Sequence, residues 1–403
     1  MSTFAWIDHN EKQRRQILEA IDLFREKDTR DELGISIIRD AFADLMFPGT
    51  GSLQTRARYF FFVPWMYRRF EEKGLPAGGI GRAARDLEIK LIDTLADSPD
   101  TRGVIGKYAR ASLQRVPSSI YWNGLKTLRI GLCDGSQGDY HRSFERLVAS
   151  RRKLVRNDDG EVVGGAASQT WAAVPPAPGD FPSKATFVMT SEEAVYLRER
   201  VLEHNPASLF SFLFQHPHKP FDAEFVWDHP VVQTAGGALQ RQLEHARNFS
   251  EVMFGAAILY NLNLAEMEPV RKDVRQNCLE YLEGWRTMMA NRREAHLRWD
   301  REDFWNLVRE AGAVPTAPTR WFVDAWIDLV LVDNLSGIAA DRRARDLIVT
   351  RERNIKGPLA RCDNDRAREV WRGEAGLNRL DFRWTSARWI LVDVLVGLGE
   401  HDA

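Results

Sequence analysis

Residues 51–70 read GSLQTRARYFFFVPWMYRRF, an aromatic run bracketed by arginines. Phe60, Phe61, Phe62, Trp65 and Tyr67 lie between Arg56 and Arg58 on one side and Arg68 and Arg69 on the other. Such a mixture suits contact with phosphates and bases, and it equally suits a core helix with basic ends. A strand over 58–63 is the rival local assignment, because aromatics favour strands. Flanking context favours a helix: Ile35, Ile38, Phe42 and Leu45 recur at helical spacing until Pro48-Gly49 breaks the pattern, and Thr50 or Ser52 is then placed to cap the next helix. On that reading Leu53, Ala57, Phe60, Phe61 and Pro64 share a buried face. Arg58, Phe62, Trp65 and Arg69 share another, and Pro64 kinks the helix.

Outward from this stretch the periodicity stays helical. Ile17, Leu18, Ile21 and Phe24 mark a first helix, and Ala84, Leu87, Leu91 and Leu95 mark another. Further on, Leu239, Leu243, Ala246, Ser250, Met253, Ala257, Tyr260 and Leu264 repeat at helical intervals. Val270, Val274, Cys278, Tyr281, Trp285 and Met288 continue after Pro269, which predicts two long helices packed antiparallel. Residues 157–182, NDDGEVVGGAASQTWAAVPPAPGDFP, combine turn signals with a proline-rich exit. The expected fold is mainly α, with two helical domains: 1–156, a linker or β-hairpin at 157–182, and 183–403.

Composition agrees with this class. The 403 residues are 44% hydrophobic and 28% charged, as in a soluble globular protein long enough for two cores. Cys133, Cys278 and Cys362 are scattered, with neither a disulfide framework nor a zinc spacing, so the expected compartment is the cytoplasm. The opening MSTFAWIDHNEKQRR lacks a signal-peptide apolar region, and the longest apolar run, Trp389–Leu398, carries Asp393. That run reads as a buried C-terminal helix, and no membrane partner is expected.

A formal net charge of −1 predicts no whole-molecule attraction to nucleic acid, so any contact must be local. Residues 51–130 hold 14 Lys/Arg against 7 Asp/Glu. Within them, 100–130 has the order of a short helix, a turn and a helix starting after Pro117. That order fits a helix-turn-helix or winged-helix-like unit as well as a plain helical hairpin. In the first case Ser119, Tyr121, Trp122, Asn123 and Lys126 face the groove, and Lys107, Arg110 and Arg115 meet phosphates. A second basic region, 341–388, places Arg351, Arg353, Lys356 and Arg361 around Gly357-Pro358; a solvated face laced with ion pairs is the simpler account.

Chemistry-bearing clusters are weak. His216, His218 and His229 accompany Asp222, Glu224 and Asp228, a ligand set suited to a hydrolytic metal site, but without the HExxH spacing. Asp324, Asp328 and Asp333 sit in an apolar helix and fit ion pairs with Arg320 or Arg342–Arg345 better than acid–base work. Gly131–Asp139, GLCDGSQGD, is a glycine-rich connection without a P-loop ending. The Trp321, Trp326, Trp371, Trp384 and Trp389 set reads as core. No catalytic residue, metal ligand or cofactor is therefore assigned.

Phe4-Ala-Trp-Ile-Asp8, Gln54-Thr-Arg-Ala-Arg-Tyr59, Pro117-Ser-Ser-Ile-Tyr-Trp122 and Phe382-Arg-Trp384 together resemble an uncharacterised bacterial family known as a domain of unknown function, over the full chain. The resemblance implies a setting among helicase, methyltransferase and phospholipase-D-like genes of phage-defence islands, beside DNA-processing enzymes. It transfers no active site. The expectation is a non-catalytic, DNA-contacting or complex-building component of antiphage defence, touching DNA through Arg56, Arg58, Arg69, Lys107, Arg110, Arg115, Tyr121, Asn123 and Lys126, with other defence proteins as further partners. A metal-dependent hydrolase or nuclease using His216–His229 is the alternative.

Overall fold

A computed structural model describes residues 31–152, 169–216, 223–268, 270–332 and 335–400. Among them the chain is mainly α, with fifteen α-helices and no strand. In order these are α1 (Ser36–Met46), α2 (Tyr59–Lys73), α3 (Ala77–Ala96), α4 (Pro117–Thr127), α5 (Gln137–Arg152), α6 (Ser191–His204), α7 (Leu209–Gln215) and α8 (Gly237–Met267). There follow α9 (Lys272–Asn291), α10 (Arg293–Leu297), α11 (Arg301–Glu310), α12 (Ala317–Val332), α13 (Arg342–Lys356), α14 (Asp365–Glu369) and α15 (Trp384–Leu398). The expected first helix around Ile17–Phe24 and the Phe4–Asp8 segment lie outside the described residues.

The chain divides into two compact units that interleave in sequence. Among the described residues the first holds those of 46–235 and 383–400; the second holds those of 31–45 and 236–382. The described part of the expected linker, 169–182, therefore belongs to the first unit, and its remaining residues up to 168 lie outside the described ones. At Trp171 it forms an antiparallel bridge with Gly131.

The first unit is built around α2. Residues Tyr59 to Tyr67 are all buried, as are Phe70 and Glu71. A helix apolar on every side must be surrounded, and α3, α4 and the 181–196 segment do so. The strand alternative for 58–63 is thus replaced by helix, since a strand would have left alternate aromatics without cover. The start differs from expectation: α2 begins at Tyr59 with Arg58 as an N-cap that makes no side-chain cap bond. Thr50 instead closes a turn, its hydroxyl donating to the Phe47 carbonyl at 2.7 Å. The helix ends at Gly74, whose φ of 63° is the left-handed conformation that glycine adopts without strain.

Packing of α4 on α2 depends on another glycine. A Cβ at Gly124 would stand 2.2 Å from the Gly49 carbonyl oxygen, so only glycine allows this approach. Within the same unit α15 lies against α6 and α7. The expected helix before α4 is only a 3-10 turn, Arg110–Ser112, following Gly103 and Gly106 with φ of 78° and 75°.

In the second unit α8 takes the central place, buried around its circumference from Leu243 to Ala265. The predicted pairing with α9 is present and antiparallel: Arg275 lies 3.7 Å from Glu266 near the connection, and Trp285 donates its indole N–H to the Glu251 carbonyl at 2.8 Å farther along. Trp326, Trp371 and Phe304 fill the remaining sides, while Trp321 is 63% exposed, unlike its neighbours.

Candidate nucleic-acid interface

The arginines of the 51–70 stretch are internal. Arg56 donates through Nε to both oxygens of Asp393, at 3.0 and 2.9 Å, and through Nη1 to Asp100 at 2.6 Å. Arg58 forms a two-pronged pair with Glu193 at 2.8 and 3.0 Å, and also donates to the Thr186 carbonyl. Exposures of 7% and 6% leave neither guanidinium a phosphate-facing surface. Tyr121 is fully buried, its hydroxyl donating to the Arg56 carbonyl and accepting from the Thr55 and Arg56 amides. The sequence-based assignment of these three residues to contact is therefore corrected: arginine in an aromatic run here satisfies buried carboxylates and closes the turn into α2.

Of the others, Arg69 is exposed, within 3.4 Å of the Phe181 carbonyl, but on a face where Arg58, Phe62 and Trp65 are buried. Lys107 donates to Thr101 at 2.7 Å, and Arg110 pairs with Asp93. Arg115 is exposed just before α4.

Asn123 and Lys126 do come together. With Thr127, Arg129, Glu203 and His204 they line an open groove of about 570 Å³ where α4 and α6 end. Local backbone chemistry shapes it. The Ile130 and Gly131 amides both bond the Leu125 carbonyl, at 2.8 and 2.9 Å, and Arg129 takes φ of 54° to turn the chain. Arg200 of α6 donates to the Leu128 and Arg129 carbonyls at 3.1 and 2.9 Å, placing a cation at the negative end of α4. Arg129 is thereby held outward and makes no ion pair among the described residues. Lys126 reaches only the Gly135 carbonyl, at 3.0 Å.

His204 completes the wall. Burial and the Arg200 charge hold its pKa below the usual imidazole value, so the ring is neutral at pH 7. Its Nε2 is buried without a hydrogen-bond partner among the described residues. The groove thus offers two cations and one amide, with Glu203 as its single carboxylate, 3.6 Å from the His204 Nε2. A phosphodiester flanked by a sugar or base edge matches that set. Sequence reading missed Arg129, Arg200 and His204, because only a left-handed turn and a helix from 191–204 bring them to Asn123.

Other expected clusters resolve into pairings within the chain, several of them at the surface. Asp324 accepts from the Trp305 indole at 2.9 Å, and Asp328 pairs with Arg301; Asp333 lies outside the described residues. In the second basic region Arg351 bonds the Leu33 carbonyl, Arg353 pairs with Asp363, and Lys356 and Arg361 share Glu32. His229 is buried edge-on to Trp384, and His216 stacks on Phe212; His218 and Asp222 lie outside the described residues. No group of three or more His, Cys, Asp or Glu side chains among the described residues is placed to hold a metal. Nor is any helix among them long and apolar enough to cross a membrane.

A mainly helical protein with a polar, cation-lined groove is the class defined by these observations. Residues 1–396 match the model of a family of unknown function, DUF6361, and the chain belongs to that family. It matches no curated protein and no solved structure.

Proposed function

We propose that this protein is a non-catalytic, nucleic-acid-contacting component of a bacterial antiphage-defence assembly, and that it makes contact at the α4–α6 groove. The observation that carries the reading is the outward pair Lys126 and Arg129, two cations without carboxylate partners among the described residues, beside Asn123. Cations left unpaired on a surface otherwise rich in internal ion pairs are free to displace counterions from phosphates. The family resemblance supports the defence setting, with DNA as the expected nucleic acid.

The test is fluorescence anisotropy with single- and double-stranded DNA and RNA across a salt series. Affinity should fall as salt rises, and Lys126→Glu or Arg129→Glu should each weaken binding and reduce the salt slope by about 1. Loss of the reading would follow from salt-independent affinity, or from charge-reversed variants that bind as well as the unaltered protein.

A further inference from the structure

Four helices of the first unit are tied by one run of polar side chains. Glu88 of α3 is fully buried and accepts the backbone N–H of Ser118 at 2.6 Å and its hydroxyl at 3.1 Å. Ser118 stands in the first turn of α4, where amides lack helical partners, so Glu88 caps α4 from a distance. Gln137 of α5 donates to the Ser118 hydroxyl at 2.7 Å and to the Tyr67 hydroxyl at 2.8 Å. The Tyr67 hydroxyl in turn meets Nε2 of His141 at 2.8 Å.

We propose that Glu88 is a proton-controlled catch that sets how firmly the N-terminal end of α4 is held, and through α4 the presentation of Asn123 and Lys126. In that last respect the inference rests on the groove reading above. The catch itself stands on geometry: a fully buried carboxyl with two donors from Ser118 and no ion pair among the described residues. Arg85, on the same helix, spends its guanidinium on the Ala111 and Leu113 carbonyls, each at 2.8 Å. The other titratable groups around the run are Tyr59, Tyr67 and Glu71 on α2, and Tyr140 and His141 on α5, with Glu71 accepting the Tyr140 hydroxyl at 2.7 Å. Tyr59 and Tyr67 both have pKa values raised by burial and stay protonated near neutrality.

Burial pushes the Glu88 carboxyl up to about 7, against the opposing pull of the Ser118 donors and Arg85. Opening the first turn of α4 returns Glu88 to water, where it ionises near its ordinary value of 4.5. Opening therefore releases a proton, so the closed form is favoured at low pH and loses ground as pH rises to about 7. His141, held below its usual value by burial, works the other way and offsets part of this gain at acid pH.

Hydrogen–deuterium exchange of residues 116–122, corrected for the intrinsic pH dependence of amide exchange, tests the catch without nucleic acid. Protection should fall between pH 5 and pH 7.5 by at most roughly 60-fold, and Glu88→Gln should remove that fall while keeping the Ser118 contact. An equal fall in Glu88→Gln overturns the inference. If that variant does not fold, infrared titration of the unaltered protein decides: a buried carboxylic-acid band that disappears near neutral pH supports it, and none overturns it. Failure to bind nucleic acid would remove the groove reading and leave these measurements standing.

Discussion

Asp393 grips Arg56 from 337 positions away in sequence, both carboxylate oxygens within 3.0 Å of Nε, and the same Oδ2 takes the Ala57 amide at 2.8 Å. A side chain of α15 thus fixes the turn that launches α2. Arg56→Ala would strand a buried carboxylate and should cost roughly 3–5 kcal/mol in urea unfolding, whereas Arg56→Met with Asp393→Leu should recover most of that loss.

Glu251 is the corresponding anchor of the second unit. It is 1% exposed and receives His296, Arg292 and Arg247 at 2.9 to 3.0 Å. Burial alone would raise its pKa; the bonds from His296, Arg247 and Arg292 overcome that and hold it at about 2. Because the folded value is depressed, this stabilisation is present above the ordinary value of 4.5 and is lost as pH falls toward 2. The acid limb should carry about 3 kcal/mol, and Glu251→Gln should flatten it in denaturant midpoints measured from pH 6 to pH 2.5.

Two glycines of the α8–α9 pair should respond oppositely to alanine. A Cβ at Gly255 would stand 2.2 Å from the Trp285 ring, while one at Gly284 meets nothing within 4 Å. Gly255→Ala should lower stability by about 1–3 kcal/mol, and Gly284→Ala should raise it by up to about 1 kcal/mol. Thermal melts of the two variants check the contrast.

Gly124→Ala should separate α4 from the Gly49 turn without touching a groove side chain. The expected outcome is a loss of about 1–3 kcal/mol in stability together with weaker nucleic-acid binding, read by melting and anisotropy on the same preparation. Unchanged melting would show that the close approach is dispensable.

The helical class and the α8–α9 pair were legible because an apolar repeat at spacings of three and four, sustained over about thirty residues, fits a buried helix and no strand. The 51–70 stretch was legible only as helix. Period counting assigned Phe62 and Trp65 to a second face, yet α2 is enclosed on both, since later segments around Phe181, Phe187 and Tyr196 close over it. The acidic partners of Arg56 and Arg58, Asp393 and Glu193, stand far along the chain in other helices, so charge counting took buried cations for a surface patch. Asn123 and Lys126 stay at the surface for a related reason: they are the part of α4 that faces away from Tyr121.

The interleaving of the two units has a consequence for synthesis. Residues 46–235 emerge from the ribosome long before α15 does, and the whole of 236–382 is made in between. Until then the carboxylate that Arg56 needs does not exist, and the α6 and α7 surfaces that receive α15 stay bare. The first unit is begun first and closed last. A nascent chain must keep that half-built aromatic core from aggregating while its second unit is still being translated, which makes 46–235 the segment most in need of chaperone cover.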